Sequence, residues 1–159
     1  MVKRPPSRKQ ARRDAAFVLY QRDVTGLPFE TLLGNLERSE GYPPDDFTVR
    51  SVTGVSARMG ALDDRISANS DKWPLERLAP LERNILRLAL WEIESGESPP
   101  EVAINEAVRL AKRYSTDEAG ALVNGILGGA LQRGAGLDTV GAEAVDGDAV
   151  NGDAVEGRS

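Results

Sequence analysis

The 159-residue sequence contains no cysteine and no histidine. The first absence excludes disulfides, thiolate metal sites and cysteine nucleophiles. The second removes the commonest metal ligand and the commonest general base near neutral pH. Aromatic residues make up only 5% of the chain, so a core must be built from Leu, Ile, Val and Ala, a composition that favours helix over sheet. No apolar run approaches the ~20 residues needed to cross a bilayer. The basic N-terminus is not followed by an apolar stretch of signal-peptide type, so the cytoplasm is the expected compartment. Carboxylates or lysines alone can run some reactions, but no polar cluster converges here. The expected protein is not an enzyme and uses no cofactor or metal.

What is present is charge, unevenly placed. The formal net charge is −5, which by itself argues against a nucleic-acid partner. Residues 1–13, however, carry six basic groups (Lys3, Arg4, Arg8, Lys9, Arg12, Arg13) and no acid. Residues 134–159 carry six acids and one base. This asymmetry is more informative than the total. Three regions follow: a loose basic arm over 1–7, a folded body over 8–133, and a Gly-rich acidic tail over 134–159 with the degenerate repeat AVDGD, AVNGD, AVEG. The tail has too few large apolar side chains to offset its ordering entropy and is expected to be disordered.

Within the body the apolar spacing is helical throughout, and no segment alternates with period two. The first helix is expected from about Ser7 to Val24, ended by Gly26 and Pro28. A second covers about Phe29 to Arg38. A long third helix is expected from about Asp45 to Asn69, because Val52, Val55, Met59, Leu62 and Ile66 step by three and four. Trp73 and Pro74 open a connector with one helical turn at Leu75 to Leu78. The fifth helix, about Pro80 to Ser95, is apolar on most sides and so is central. Ser98-Pro99-Pro100-Glu101 has capping-box spacing before a sixth helix that reaches about Tyr114. Ser115-Thr116-Asp117-Glu118 repeats that spacing before a seventh that reaches about Arg133. The fold class is all-α: a seven-helix bundle in two halves, helices one to three and four to seven.

The basic start of the first helix is the leading functional candidate. Arg8 and Arg12, and Lys9 and Arg13, are i, i+4 neighbours. Like charges at that spacing repel, and cations at a helix N-terminus oppose its dipole. A surface cluster that costs stability suits an anionic partner, and a solvated charged arm is the other reading. Tyr20, two turns on, suits either base stacking or the edge of the core. The pair Asp45 and Asp46 is read as a helix cap, and Asp63 and Asp64 as solvent-facing. Gly125, Gly128 and Gly129 are read as a tight helix-packing site. Asn124 suits a hydrogen bond to a neighbouring helix or to RNA.

Four ordered blocks carry a family resemblance: QARRDAAFVLYQ, LAPLERNILRLALWEI, VAINEAVRLAKRYST and LVNGILGGAL. Together, over about residues 8–133, they resemble the NusB family, whose blocks read roughly AR-x-x-A-x-x-x-LYQ, LR-x-A-x-(Y/W)-E, (A/V)-I-N-E-A-(V/I)-x-L-A-K and F-V-N-G-(V/I)-L. The resemblance implies an all-helical transcription antitermination factor. It would bind the boxA element of ribosomal RNA leaders together with NusE, a small-subunit ribosomal protein, within the RNA polymerase antitermination complex. It implies RNA contacts from Arg8, Lys9 and Arg12, with Arg13 in the same cluster and Tyr20 as neighbour. Glu118, Leu122 and Glu82 would contribute from the last helix and the fifth. Two positions depart from the pattern. Leu122 stands where the family usually has phenylalanine, and leucine cannot stack on a base. Ser115 replaces a common glycine, a change expected to affect only cap geometry. The alternative reading is a homodimeric interaction module with the RNA surface occluded.

Overall fold

The computed structural model describes residues 4–70 and 74–143, with side chains described through Arg133. Among the described residues there are seven α-helices, a single turn of 3-10 helix and no strand. They are α1 (Arg8–Thr25), α2 (Phe29–Glu40), α3 (Asp46–Ala57), α4 (Met59–Ala68), the 3-10 turn Leu75–Arg77, α5 (Pro80–Ser95), α6 (Pro100–Tyr114) and α7 (Asp117–Glu143). None of these helices is long and apolar enough to cross a membrane. Trp73 and residues 144–159 lie outside the described residues.

Glycine and proline set most of the boundaries. Gly26, Gly41 and Gly96 close α1, α2 and α5 in the left-handed conformation, with φ of 73°, 83° and 77°, where a side chain would be strained. Pro80 and Pro100 open α5 and α6, where a missing N–H costs nothing. Ser7 caps α1 in a reciprocal box with Gln10, and Asp45 caps α3 by accepting from the Phe47 N–H at 2.8 Å.

Three local expectations need correcting. The long third helix is divided at Arg58, where φ and ψ are −118° and 20°. The Arg58 N–H is shared between the carbonyls of Gly54 and Val55, both at 3.2 Å, and its guanidinium reaches Glu94 at 2.6 Å. Glycines at 54 and 60 weaken the helix on both sides of that point. The capping box expected at Ser98 does not form. Pro99 is the N-cap and makes no side-chain cap, because the Ser98 hydroxyl donates to Glu92 instead, at 2.8 Å. Finally, α7 continues past Arg133 to Glu143, so the expected tail does not begin at residue 134. Elongating an existing helix adds one hydrogen bond per residue ordered, and Ala135, Leu137 and Ala142 are good helix formers.

The chain divides into two compact units, Met1–Leu127 and Gly128–Ser159. The described part of the second is the remainder of α7. In the first, α5 is the hub and packs against α1, α3, α4 and α6. Its Ile85, Leu86, Leu88 and Leu90 are at most 1% exposed, and burial of each contributes about 1.5–3 kcal/mol. Gly54 of α3 lets that helix approach the Trp91 indole so closely that an added Cβ would overlap the ring. Gly125, by contrast, faces open space, so it is not a packing glycine.

Charged side chains tie the helices around α5. Arg87 makes a two-pronged contact with Asp63 of α4, at 2.7 and 2.9 Å, so Asp63 is a structural anchor, not a solvated acid. Asp23 of α1 accepts from Arg83 at 3.0 Å and from Asn84 at 2.9 Å. Burial pushes the Asp23 carboxyl up, but these hydrogen bonds and the charges of Arg83 and Arg87 bring it below its ordinary value.

Candidate nucleic-acid interface

The basic start of α1 is not one surface. Helical geometry turns its four cations in different directions, and their surroundings decide which stay available. Arg12 is 4% exposed. Its guanidinium donates to both oxygens of Glu92, at 2.9 Å each by the shortest contacts. It lies 3.4 Å from the Ser98 hydroxyl and 3.7 Å from Glu106. Glu92 is itself 1% exposed. Arg12 therefore points into the body and clamps α1 to α5, a placement incompatible with a phosphate contact in this conformation. Arg13 is drawn toward α2, donating to Asp14 at 3.0 Å and to Glu40 at 3.4 Å. Tyr42 completes that corner by donating to Asp14 at 2.9 Å.

Arg8 and Lys9 remain on the surface. Arg8 lies 4.3 Å from the centre of the Phe47 ring and 4.0 Å from Glu97, so its head is steadied but still half exposed. It lines a cleft with Pro5, Pro6, Pro43, Pro44 and Arg50. Lys9 is exposed and faces α6, where its charge helps to lower Glu106. Burial pushes the Glu106 carboxyl up, but the Arg109 hydrogen bond and the charges of Arg109, Arg12 and Lys9 outweigh it. The like-charge repulsion within the α1 cluster is thus relieved by carboxylates from distant helices.

A second concavity, of about 240 Å³, lies where α5, the α6–α7 corner and the 3-10 turn meet. Its wall includes Arg77, Glu82, Thr116, Glu118 and Leu122. Glu82, Glu118 and Leu122, three of the residues singled out from sequence, are brought together here. The corner is held by two short bonds. The Ser115 hydroxyl donates to Glu82 at 2.8 Å, and the Thr116 hydroxyl caps α7 by accepting from the Ala119 N–H at 2.9 Å. Ser115 therefore does more than shape a cap: it fixes a carboxylate in the groove wall. Asn124 is exposed on α7. Tyr20 is half-buried on α1 and lines neither concavity.

A model of the NusB family matches residues 9–132. The transcription antitermination protein NusB of Rubrobacter xylanophilus is 46% identical over 125 residues, covering 78% of this chain and 89% of that protein. The chain belongs to the NusB family of transcription antitermination proteins. The NusB of Saccharopolyspora erythraea is 40% identical, over 77% of this chain and 84% of that one. Among solved structures, NusB of T. maritima superposes with a TM-score of 0.72 at 32% identity, covering 81% of this chain and 93% of that chain. A structure of antitermination factors NusB and NusE in complex with double-stranded RNA gives 0.72 at 28% identity, covering 79% and 96%.

Within this NusB-family body, the structure adds side chains that sequence reasoning missed. Arg109, Lys112 and Arg113 form an exposed cationic end to α6. Tyr114, the last residue of α6, is 39% exposed and meets Phe17 of α1 edge-on, with ring centres 4.9 Å apart and planes at 82°. Lys112 lies along Gly120 of α7, which packs the α6–α7 corner. The run KRYST was legible as a block, but its contact with Phe17 depends on how α1 and α6 lie side by side.

Proposed function

We propose that this chain binds boxA RNA of ribosomal RNA leaders together with NusE, in the cytoplasm, and so helps RNA polymerase resist termination. The observation that carries the reading is the meeting of Glu82, Glu118 and Leu122, distant in sequence, in one groove wall. Two carboxylates against the single cation Arg77 leave the groove wall net negative, so it suits bases, whose amino groups donate to Glu or Asp, better than phosphates. Phosphate affinity comes from the exposed cations outside it: Arg8 and Lys9 on α1, and Arg109, Lys112 and Arg113 on α6. The division matches what single-stranded RNA requires, with backbone attraction beside splayed bases. The solved relative in complex with NusE and double-stranded RNA supports the choice of partners.

The test is a titration of boxA RNA and a scrambled control, with and without NusE, over a series of salt concentrations. The expected result is tighter binding of boxA, strengthened by NusE and weakened by salt. Equal binding of both RNAs, or none with NusE present, would overturn the reading. Light scattering in the same buffers identifies the homodimeric alternative.

A further inference from the structure

In a chain with few aromatic side chains, Tyr114 is placed at the surface and follows two exposed cations, Lys112 and Arg113, while Arg109 a turn earlier is paired with Glu106. Its hydroxyl has no hydrogen-bond partner among the described residues. Its edge-to-face contact with half-buried Phe17 fixes the ring plane but leaves much of the ring open to water. The Arg113 guanidinium lies 5.7 Å from the ring centre. No acid occurs between Arg109 and Ser115. Cations at a helix C-terminus complement its dipole, which explains the charges but not an exposed, oriented ring. A flat apolar face beside positive charge suits a planar anionic partner, and an RNA base on its phosphate backbone is one. The location agrees. Ser115, the next residue, holds Glu82, and Thr116 lines the groove with Leu122. Leu122 offers no π face.

We propose that Tyr114, oriented by Phe17 and flanked by Arg113, stacks on an unpaired base of bound RNA at the edge of the Glu82–Glu118 groove. The proposal rests on the RNA-binding reading above. Stacking is tolerant of base identity, so Tyr114 adds affinity and sets register, while the carboxylates of the groove read base edges.

The experiment uses the full chain with NusE and boxA RNA in which 2-aminopurine replaces one base at a time. Two variants are compared with the parent: Tyr114→Phe, which keeps the ring, and Tyr114→Met, which keeps an apolar contact with Phe17 but has no π face. The expected result is quenching at one position in the parent and in Tyr114→Phe. In Tyr114→Met that quenching is lost and binding is about tenfold weaker, with an unchanged salt slope because no phosphate contact is removed. Parent-like affinity and quenching in Tyr114→Met overturn the proposal, as does a loss of affinity that tracks a lowered unfolding midpoint. A parent that binds no RNA with NusE present sinks the RNA-binding reading itself, whereas a binding parent with an indifferent Tyr114→Met sinks the stacking alone.

Discussion

Replacing Arg12 with alanine separates a structural role from an RNA-binding one. Arg12 and Glu92 are 4% and 1% exposed and share two hydrogen bonds at 2.9 Å. Removing the guanidinium leaves the Glu92 carboxylate buried, with the Ser98 hydroxyl at 2.8 Å as its remaining donor among the described residues. Breaking a buried pair from one side costs about 3–5 kcal/mol. Against a domain stability of roughly 5–15 kcal/mol, that is a large fraction. With a urea slope of about 2 kcal/mol per molar, Arg12→Ala should lower the midpoint by about 2 M. Removing both charges, as Arg12→Met with Glu92→Leu, should restore stability to within about 1–2 kcal/mol of the parent. In that folded double variant, the salt dependence of RNA binding should match the parent. A phosphate contact from Arg12 would instead reduce the log–log slope by about 0.7. Parent-like stability of Arg12→Ala combined with a reduced salt slope would refute the structural assignment.

Other perturbations follow from the same geometry. Substituting Lys9 by alanine should weaken RNA binding and reduce the salt slope by about 0.7, with the unfolding midpoint unchanged, because its side chain is exposed; fluorescence anisotropy over a salt series reads both. Gly54→Ala drives a methyl into the Trp91 indole, and overpacking of about 1–3 kcal/mol should outweigh or cancel the ~1 kcal/mol gain in helix propensity. Gly120→Ala meets the Lys112 Cγ at 2.6 Å, near the root of that side chain, so the lysine must leave its packed rotamer at the α6–α7 corner, and urea denaturation should find the variant destabilised by about 1 kcal/mol or more. Asp23 should titrate below the ordinary aspartate range in carbon-detected NMR. Because its folded value is depressed, its stabilising contribution is complete above the unfolded pKa and is lost as pH falls through the folded one. Arg83→Met should move Asp23 upward and shrink that acid-side dependence.

Helix positions and order were legible because the signals that set them are local. Gly26, Gly41 and Gly96, the prolines at 80 and 100, and the apolar girth of α5 each act within a turn or two of themselves. The division at Arg58 was not legible, because it depends on a side chain reaching Glu94 and on a shared N–H as much as on composition. Ser98 and Ser115 were misjudged for a related reason. Each sits where a cap is expected, and each is drawn away by a carboxylate on α5, Glu92 for the one and Glu82 for the other. Local preference proposes a partner, and tertiary proximity to a charged acceptor wins, since hydrogen bonds to ionised groups are about twice as strong as neutral ones.

In the candidate interface the helical period of α1 separates cations that charge alone does not. Counting cations in residues 1–13 treats them as equivalent, but helical period does not. Arg12 shares its stripe with Ala15, Ala16 and Leu19, which are buried, while Arg8 and Lys9 lie a turn earlier, at the exposed start of the helix. An arginine in an apolar stripe requires a carboxylate opposite it, and α5, apolar nearly all round, supplies an acid with the matching need in Glu92. The two anomalies, a cation in one buried face and an acid in another, predict each other. By the same reasoning, the cations proposed to meet RNA are those whose heads stay in water, and they lie on two helices, α1 and α6. The proposed nucleic-acid surface is therefore better defined by what the core rejects than by the density of charge along the chain: Lys9 and Arg8 on α1, and the Arg109–Arg113 end of α6 with its exposed tyrosine.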